Sequence, residues 1–128
     1  MIDHVSLGVG NLAKSRSFYD AALKPLGCRR VYEMDMLSGY GASEEKPFFW
    51  ISGPLRPGQK APPSPGSHIA FAAPSRAAVD AFYEAAIAAG GQDNGTPGLR
   101  TEYHPNYYGA FVLDPDGHHV EAVCHGPE

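Results

Sequence analysis

His4, His68 and Glu121 are the residues of this sequence whose types and spacing suit chemistry. Two imidazoles and one carboxylate bind a divalent first-row metal well and leave coordination positions open for water or substrate. Each residue also has a plainer reading. A strand histidine is more often hydrogen-bonded structure than a ligand, and a mid-strand carboxylate is there to be solvated, paired or coordinated. Position favours the metal. The histidines lie 64 positions apart, half the length of the 128-residue chain, in matching local sequences.

The elements that must carry these residues follow from an internal repeat. His4-Val5-Ser6-Leu7 recurs as His68-Ile69-Ala70-Phe71, Asn11 as Ser75, Phe18-Tyr19-Asp20-Ala21-Ala22-Leu23 as Phe82-Tyr83-Glu84-Ala85-Ala86-Ile87, and Gly27 as Gly91. All fall in one register without a gap, so the chain reads as a duplication. Each copy opens with a strand. Val5, Leu7 and Val9 share one face of the first, and His4, Ser6 and Gly8 the other. A helix follows, capped by Asn11 or Ser75. Its stripe is Phe18, Tyr19, Ala22, Leu23 and Leu26 in the first copy, and Val79, Phe82, Tyr83, Ala86 and Ile87 in the second. Gly27 and Gly90-Gly91 are placed to stop the helices. The apolar strand face then packs under its helix. The opposite face, with His4, Ser6 and Gly8 or His68, Ala70 and Ala72, is lined by small residues around a histidine, as a cavity wall is.

Three further strands are expected in each copy: 29–36, 38–42 and 48–52, then 99–104, 107–113 and 118–124. The last two form a hairpin about Asp114-Pro115-Asp116-Gly117. On its second strand Val120, Ala122 and Cys124 share one face, and His119, Glu121 and Val123 the other. The expected architecture is α+β, two tandem βαβββ modules forming an open, cupped mixed sheet with helices outside. Module one spans 1–53, a Pro/Gly-rich linker 54–66 and module two 67–125, within a single domain 1–128. The linker's prolines make it stiff, and it is placed to border a pocket.

Composition bounds the partners. The chain is 43% hydrophobic and 19% charged, with a formal net charge of -4. That gives no electrostatic reason to expect nucleic acid or an anionic membrane. No apolar run approaches the ~20 residues that span a bilayer. Met1 to His4 lead straight into a strand without the pattern of a signal peptide. The two cysteines, Cys28 and Cys124, have no CxxC spacing. A reduced, cytoplasmic protein is expected.

His4-Val5 followed by Phe18-Tyr19, His68-Ile69, and Asp114-Pro115-Asp116-Gly117-His118 leading to Glu121 resemble the vicinal oxygen chelate superfamily. That superfamily includes glyoxalase I, fosfomycin-resistance thiol transferases, extradiol dioxygenases and bleomycin-resistance proteins. The resemblance covers nearly the whole chain. It implies metal ligands on the first and last strand of each module, which carries over to His4, His68 and Glu121, the residues that strand parity selects. The fourth ligand position lies on 48–52, whose FFWIS holds no His, Glu or Gln. The implied cofactor is a divalent ion (Zn, Mn, Ni or Fe), and the implied partner a small substrate with two adjacent oxygens. Also implied is a homodimer in which His4 of one chain completes the site of the other.

The remaining candidates are substrate contacts: Trp50, Tyr103, His104, Tyr107 and Tyr108. Their plainer reading is amphipathic packing at strand ends. His119 is expected at the surface, His118 and His125 have no assigned role, and Cys124 is expected to be a buried, inert thiol. Two functions are therefore expected. One is a metal-dependent lyase, thiol transferase or dioxygenase, but not a typical glyoxalase I. The other is a metal-free sequestering protein of the bleomycin-resistance type.

Overall fold

The structure, a computed structural model, describes residues 1–54, 63 and 66–128. Most of the expected linker lies outside the described residues. The element order is β1 (Val5–Gly8), α1 (Leu12–Leu23), β2 (Arg29–Met34), β3 (Leu37–Gly41), β4 (Phe49–Ser52), β5 (Ile69–Ala72), α2 (Arg76–Ala88), β6 (Gln92–Asp93), β7 (Gly98–Leu99), β8 (Tyr108–Leu113) and β9 (His119–Cys124). Hydrogen bonding makes two open mixed sheets, ordered β1-β4-β3-β2 and β5-β9-β8-β6, with β7 also on β8. The repeat thus appears as two βαβββ units, the second with its outer strand split into β6 and β7.

Local chemistry explains the helices. Asn11 Oδ1 accepts from Lys14 N at 3.0 Å, and Ser75 Oγ from Ala78 N at 3.1 Å, each satisfying a first-turn donor. After α1 a short 3-10 turn, Lys24–Leu26, ends at Gly27, whose φ of 83° suits glycine. Phe18, Tyr19, Ala22, Leu23, Val79, Phe82 and Ala86 are fully buried, as their helical spacing predicts. The exception is Ile87, which lies on the exposed side of α2.

One core serves both halves. The helices pack on each other, α1 also on β2 and β4, and α2 on β8 and β9. Phe49 and Phe71 meet edge to face at 5.1 Å across the modules. Val9, Phe49, Ile51 and Phe71 turn inward, while Ser6, Ala70 and Ala72 are exposed on the opposite faces. Parity therefore assigned the faces of β1 and β5 correctly and left that of β4 open. It missed one strand: the expected strand 99–104 does not form. After Leu99 the chain turns, with Tyr103 and His104 N–H both donating to Arg100 O. That edge is instead two separate two-residue strands, β6 and β7. Asn94, Gly95 and Pro97 interrupt it with turn chemistry.

Candidate functional site

In each module the first and last strands run parallel and adjacent, so residues far apart in sequence become neighbours. β5 pairs with β9 so that Ala70 faces Glu121, and β1 pairs with β4 so that Ser6 faces Trp50. His68 and His4 each stand two residues before the paired position, on the same face. The structure thereby fixes a register that the sequence leaves open. Trp50 is the first module's counterpart of Glu121.

Glu121 is only 1% exposed. A carboxylate so placed must be satisfied or it is costly. Its Oε2 accepts a short hydrogen bond from the Tyr107 hydroxyl, and its Oε1 lies 3.3 Å from His68 Nε2. Burial, then the bond to Glu121, pushes the Tyr107 phenol up to about 12, so it remains a donor at neutral pH. Around Tyr107 stand Tyr103 at 5.2 Å and His125 at 5.2 Å between ring centroids, with His104 5.7 Å from His125. Tyr107 therefore stands between Glu121 and an aromatic rim of Tyr103, His104 and His125.

Tyr108 does not belong to that rim. Its hydroxyl donates to Asp80 Oδ1 at 2.7 Å, and Arg76 lies over its ring at 5.3 Å. Successive strand residues face opposite ways, and this one turns to α2. His119 is exposed as expected, 3.2 Å from the Asn94 amide.

His4 lies on the open face of the first sheet. Its Nδ1 is 2.6 Å from Asp3 Oδ1, an arrangement that orients the ring and leaves Nε2 without a partner among the described residues. It borders a cavity of about 990 Å³ with Ser6, Leu37, Phe48, Trp50 and Ser52. Neither His68 nor Glu121 lines that cavity. One chain thus brings His68 and Glu121 together but does not gather all three residues into one ligand cluster.

Among the described residues, the group of three that does converge is Asp114, Asp116 and His118, within 4.8 Å. Its carboxylates are already held by protein donors. Asp114 Oδ1 accepts from the N–H groups of Asp116 and His118, both at 2.9 Å, and Oδ2 from the Tyr19 hydroxyl at 2.6 Å. Asp116 Oδ1 accepts from Gly10 N at 2.9 Å, and Oδ2 from Ser15 Oγ at 3.4 Å. His118 Nε2 reaches Gly8 O at 3.0 Å. Every carboxylate oxygen is committed, and the partners Gly8, Gly10, Ser15 and Tyr19 belong to the first module. This turn is a lock between modules. The sequence showed its turn chemistry but not its partners, roughly 100 positions away.

The comparisons agree with this architecture. The family model of the Glyoxalase/Bleomycin resistance protein/Dioxygenase superfamily matches residues 1–122. A crystal structure of a glyoxalase/bleomycin resistance protein from Albidiferax ferrireducens T118 is 35% identical, with a TM-score of 0.83, over 97% of this chain and 98% of that one. The fosfomycin resistance protein FosX from Listeria monocytogenes shares the fold at 19% identity and TM-score 0.68, over 97% and 92% of the two chains. An E144Q mutant of glyoxalase I from Zea mays does so at 22% and 0.67, over 95% of this chain and 46% of that one. No curated protein is similar enough to count as a relative. With the duplicated modules, their parallel first and last strands and a model match over nearly all its length, the chain belongs to the Glyoxalase/Bleomycin resistance protein/Dioxygenase superfamily.

Proposed function

We propose that this protein is a divalent-metal-dependent enzyme acting on a small substrate that presents two adjacent oxygens. His68, Glu121 and His4 would hold the ion. The observation that carries this reading is the Glu121 carboxylate, 1% exposed, with one oxygen secured by Tyr107 and the other 3.3 Å from His68 Nε2. Those two atoms are close enough to share an ion, and His4 offers an Nε2 oriented by Asp3. A bound ion would supply Lewis acidity to the substrate oxygens.

His4 stands apart from the other two, so the site is read as shared: His4 of one chain with His68 and Glu121 of a second in a homodimer. Two free cysteines, one buried and one half-buried, suit a reducing compartment, and we place the protein in the cytoplasm. The reaction is assigned to the lyase, thiol-transferase or dioxygenase type. Trp50, in the position equivalent to Glu121, supports a second reading, sequestration of a ligand without metal or chemistry.

Metal analysis separates the two. Protein reconstituted with Zn, Mn, Ni or Fe(II) should retain about one ion per chain at neutral pH, less as pH falls through the imidazole range, and none in His68→Ala. Equal, near-zero retention in wild type and variant would establish the metal-free reading.

A further inference from the structure

We propose that the ligand of the first-module cavity carries a flat, uncharged aromatic ring that lies on the indole of Trp50. The inference deepens the reading above, since it takes that cavity as part of the substrate site, but it rests on different residues.

Trp50 is half-buried and faces the cavity from the middle of its sheet, paired with Ser6 on β1 and Gly39 on β3. Gly39 explains how the indole sits. A Cβ there would lie 2.7 Å from Cζ3 and 2.9 Å from Cε3 and Cη2 of Trp50, closer than such atoms come. The benzo ring therefore rests on bare backbone. The Tyr32 ring stands beside it, 5.5 Å away between centroids and tilted by 63°. Ser6, the other neighbour in the row, is small. An indole laid flat on glycine and edged by a tyrosine is a platform, and its free side is the floor of the cavity. Flat aromatic partners stack on such a surface more strongly than saturated ones of the same size.

Charge narrows the class. Among the described residues the lining carries one cationic side chain, Lys46, beside the Met1 terminus and the carboxylates Asp3 and Glu45. Among the described residues no arginine fork lines it to hold a phosphonate or carboxylate. The volume, about 990 Å³, is ample for a fused two-ring compound.

The test uses the chain's single tryptophan as reporter. Full-length dimer treated with chelator is titrated with 2-naphthol, its saturated analogue decahydro-2-naphthol and the anion 2-naphthoate, and the one indole Nε1–H resonance is followed. We expect a saturable shift with 2-naphthol, and binding of the other two weaker by about tenfold. Gly39→Ala, which lifts the indole, should weaken 2-naphthol about three- to tenfold at an unchanged oligomeric state. If Gly39→Ala does not fold, Trp50→Leu followed by calorimetry takes its place, with the same expected loss. Equal affinity for the saturated analogue, or no shift up to the solubility limit of 2-naphthol, overturns the proposal. Because metal is absent throughout, naphthol binding beside failed metal retention would sink only the enzyme reading. Metal retention without naphthol binding would sink only this one.

Discussion

At the residue scale the decisive group is the Glu121–Tyr107 pair. Removing the phenolic hydroxyl leaves a buried carboxylate oxygen without its donor, which costs about 2 kcal/mol. Tyr107→Phe should therefore lower the stability measured by urea unfolding by that amount. It should also weaken metal retention about ten- to hundredfold, as loss of a ligand's supporting partner does. Unchanged metal affinity would show that Tyr107 does not act through Glu121. Trp50 sets a second expectation. An isomerisation of the glyoxalase I kind needs a base within reach of the proton removed, and the first-module position equivalent to Glu121 is an indole. Metal-loaded protein should give negligible lactoylglutathione from methylglyoxal and glutathione. Robust, metal-dependent turnover that Glu121→Gln abolishes would refute this.

At the scale of elements, the turn between β8 and β9 holds the modules in register. Asp114 is 4% exposed and accepts from Tyr19 and from two backbone N–H groups. Asp114→Ala leaves those donors unpaired and should cost about 3 kcal/mol, read as a lower urea midpoint. The same lock predicts an alkaline limit. Burial, then the Asp114 charge, raises the Tyr19 phenol well above its usual range, and burial, then the Asp20 charge, raises Tyr40. A tyrosine whose value is higher in the folded state contributes stability that is fully present below the unfolded value near ~10 and is lost as pH rises beyond it. Unfolding free energy should thus be flat to about pH 9 and fall above ~10, less steeply in Tyr19→Phe. An equally steep fall in that variant would assign the loss to other groups.

At the scale of the whole molecule, one proposed ligand, His4, lies on the first module and two, His68 and Glu121, on the second, and the cavity beside His4 includes neither His68 nor Glu121. A site shared between two chains has a signature in mixed dimers. Mixing equal amounts of His4→Ala and Glu121→Gln protein and allowing subunit exchange should restore about a quarter of wild-type metal retention, since half the dimers are mixed and each has one intact site. Neither variant alone should retain metal. No restoration in a population shown by light scattering to be dimeric would place the site within one chain.

Strand parity and the repeat were enough to read the two βαβββ units, both helix caps, the buried helical stripes and the face that carries His4, His68 and Glu121. These are properties of local geometry: a period of two or 3.6, a cap within three residues, a glycine where the helix stops. The edge strand was expected at 99–104 and lies instead at Gln92–Asp93 and Gly98–Leu99, because the chain turns after Leu99 with Tyr103 and His104 N–H on Arg100 O. The partners of Glu121 and Asp114 escaped for a different reason. Tyr107 is 14 residues from Glu121 across a hairpin and Tyr19 is 95 from Asp114. A side chain's sequence neighbours do not say which distant donor will satisfy it. Register was the last thing withheld. FFWIS could present either Phe49 or Trp50 to the cavity, since shifting a strand by one residue exchanges its faces. Only the pairing of β4 with β1 and β3 put Phe49 into the core and laid Trp50 on Gly39.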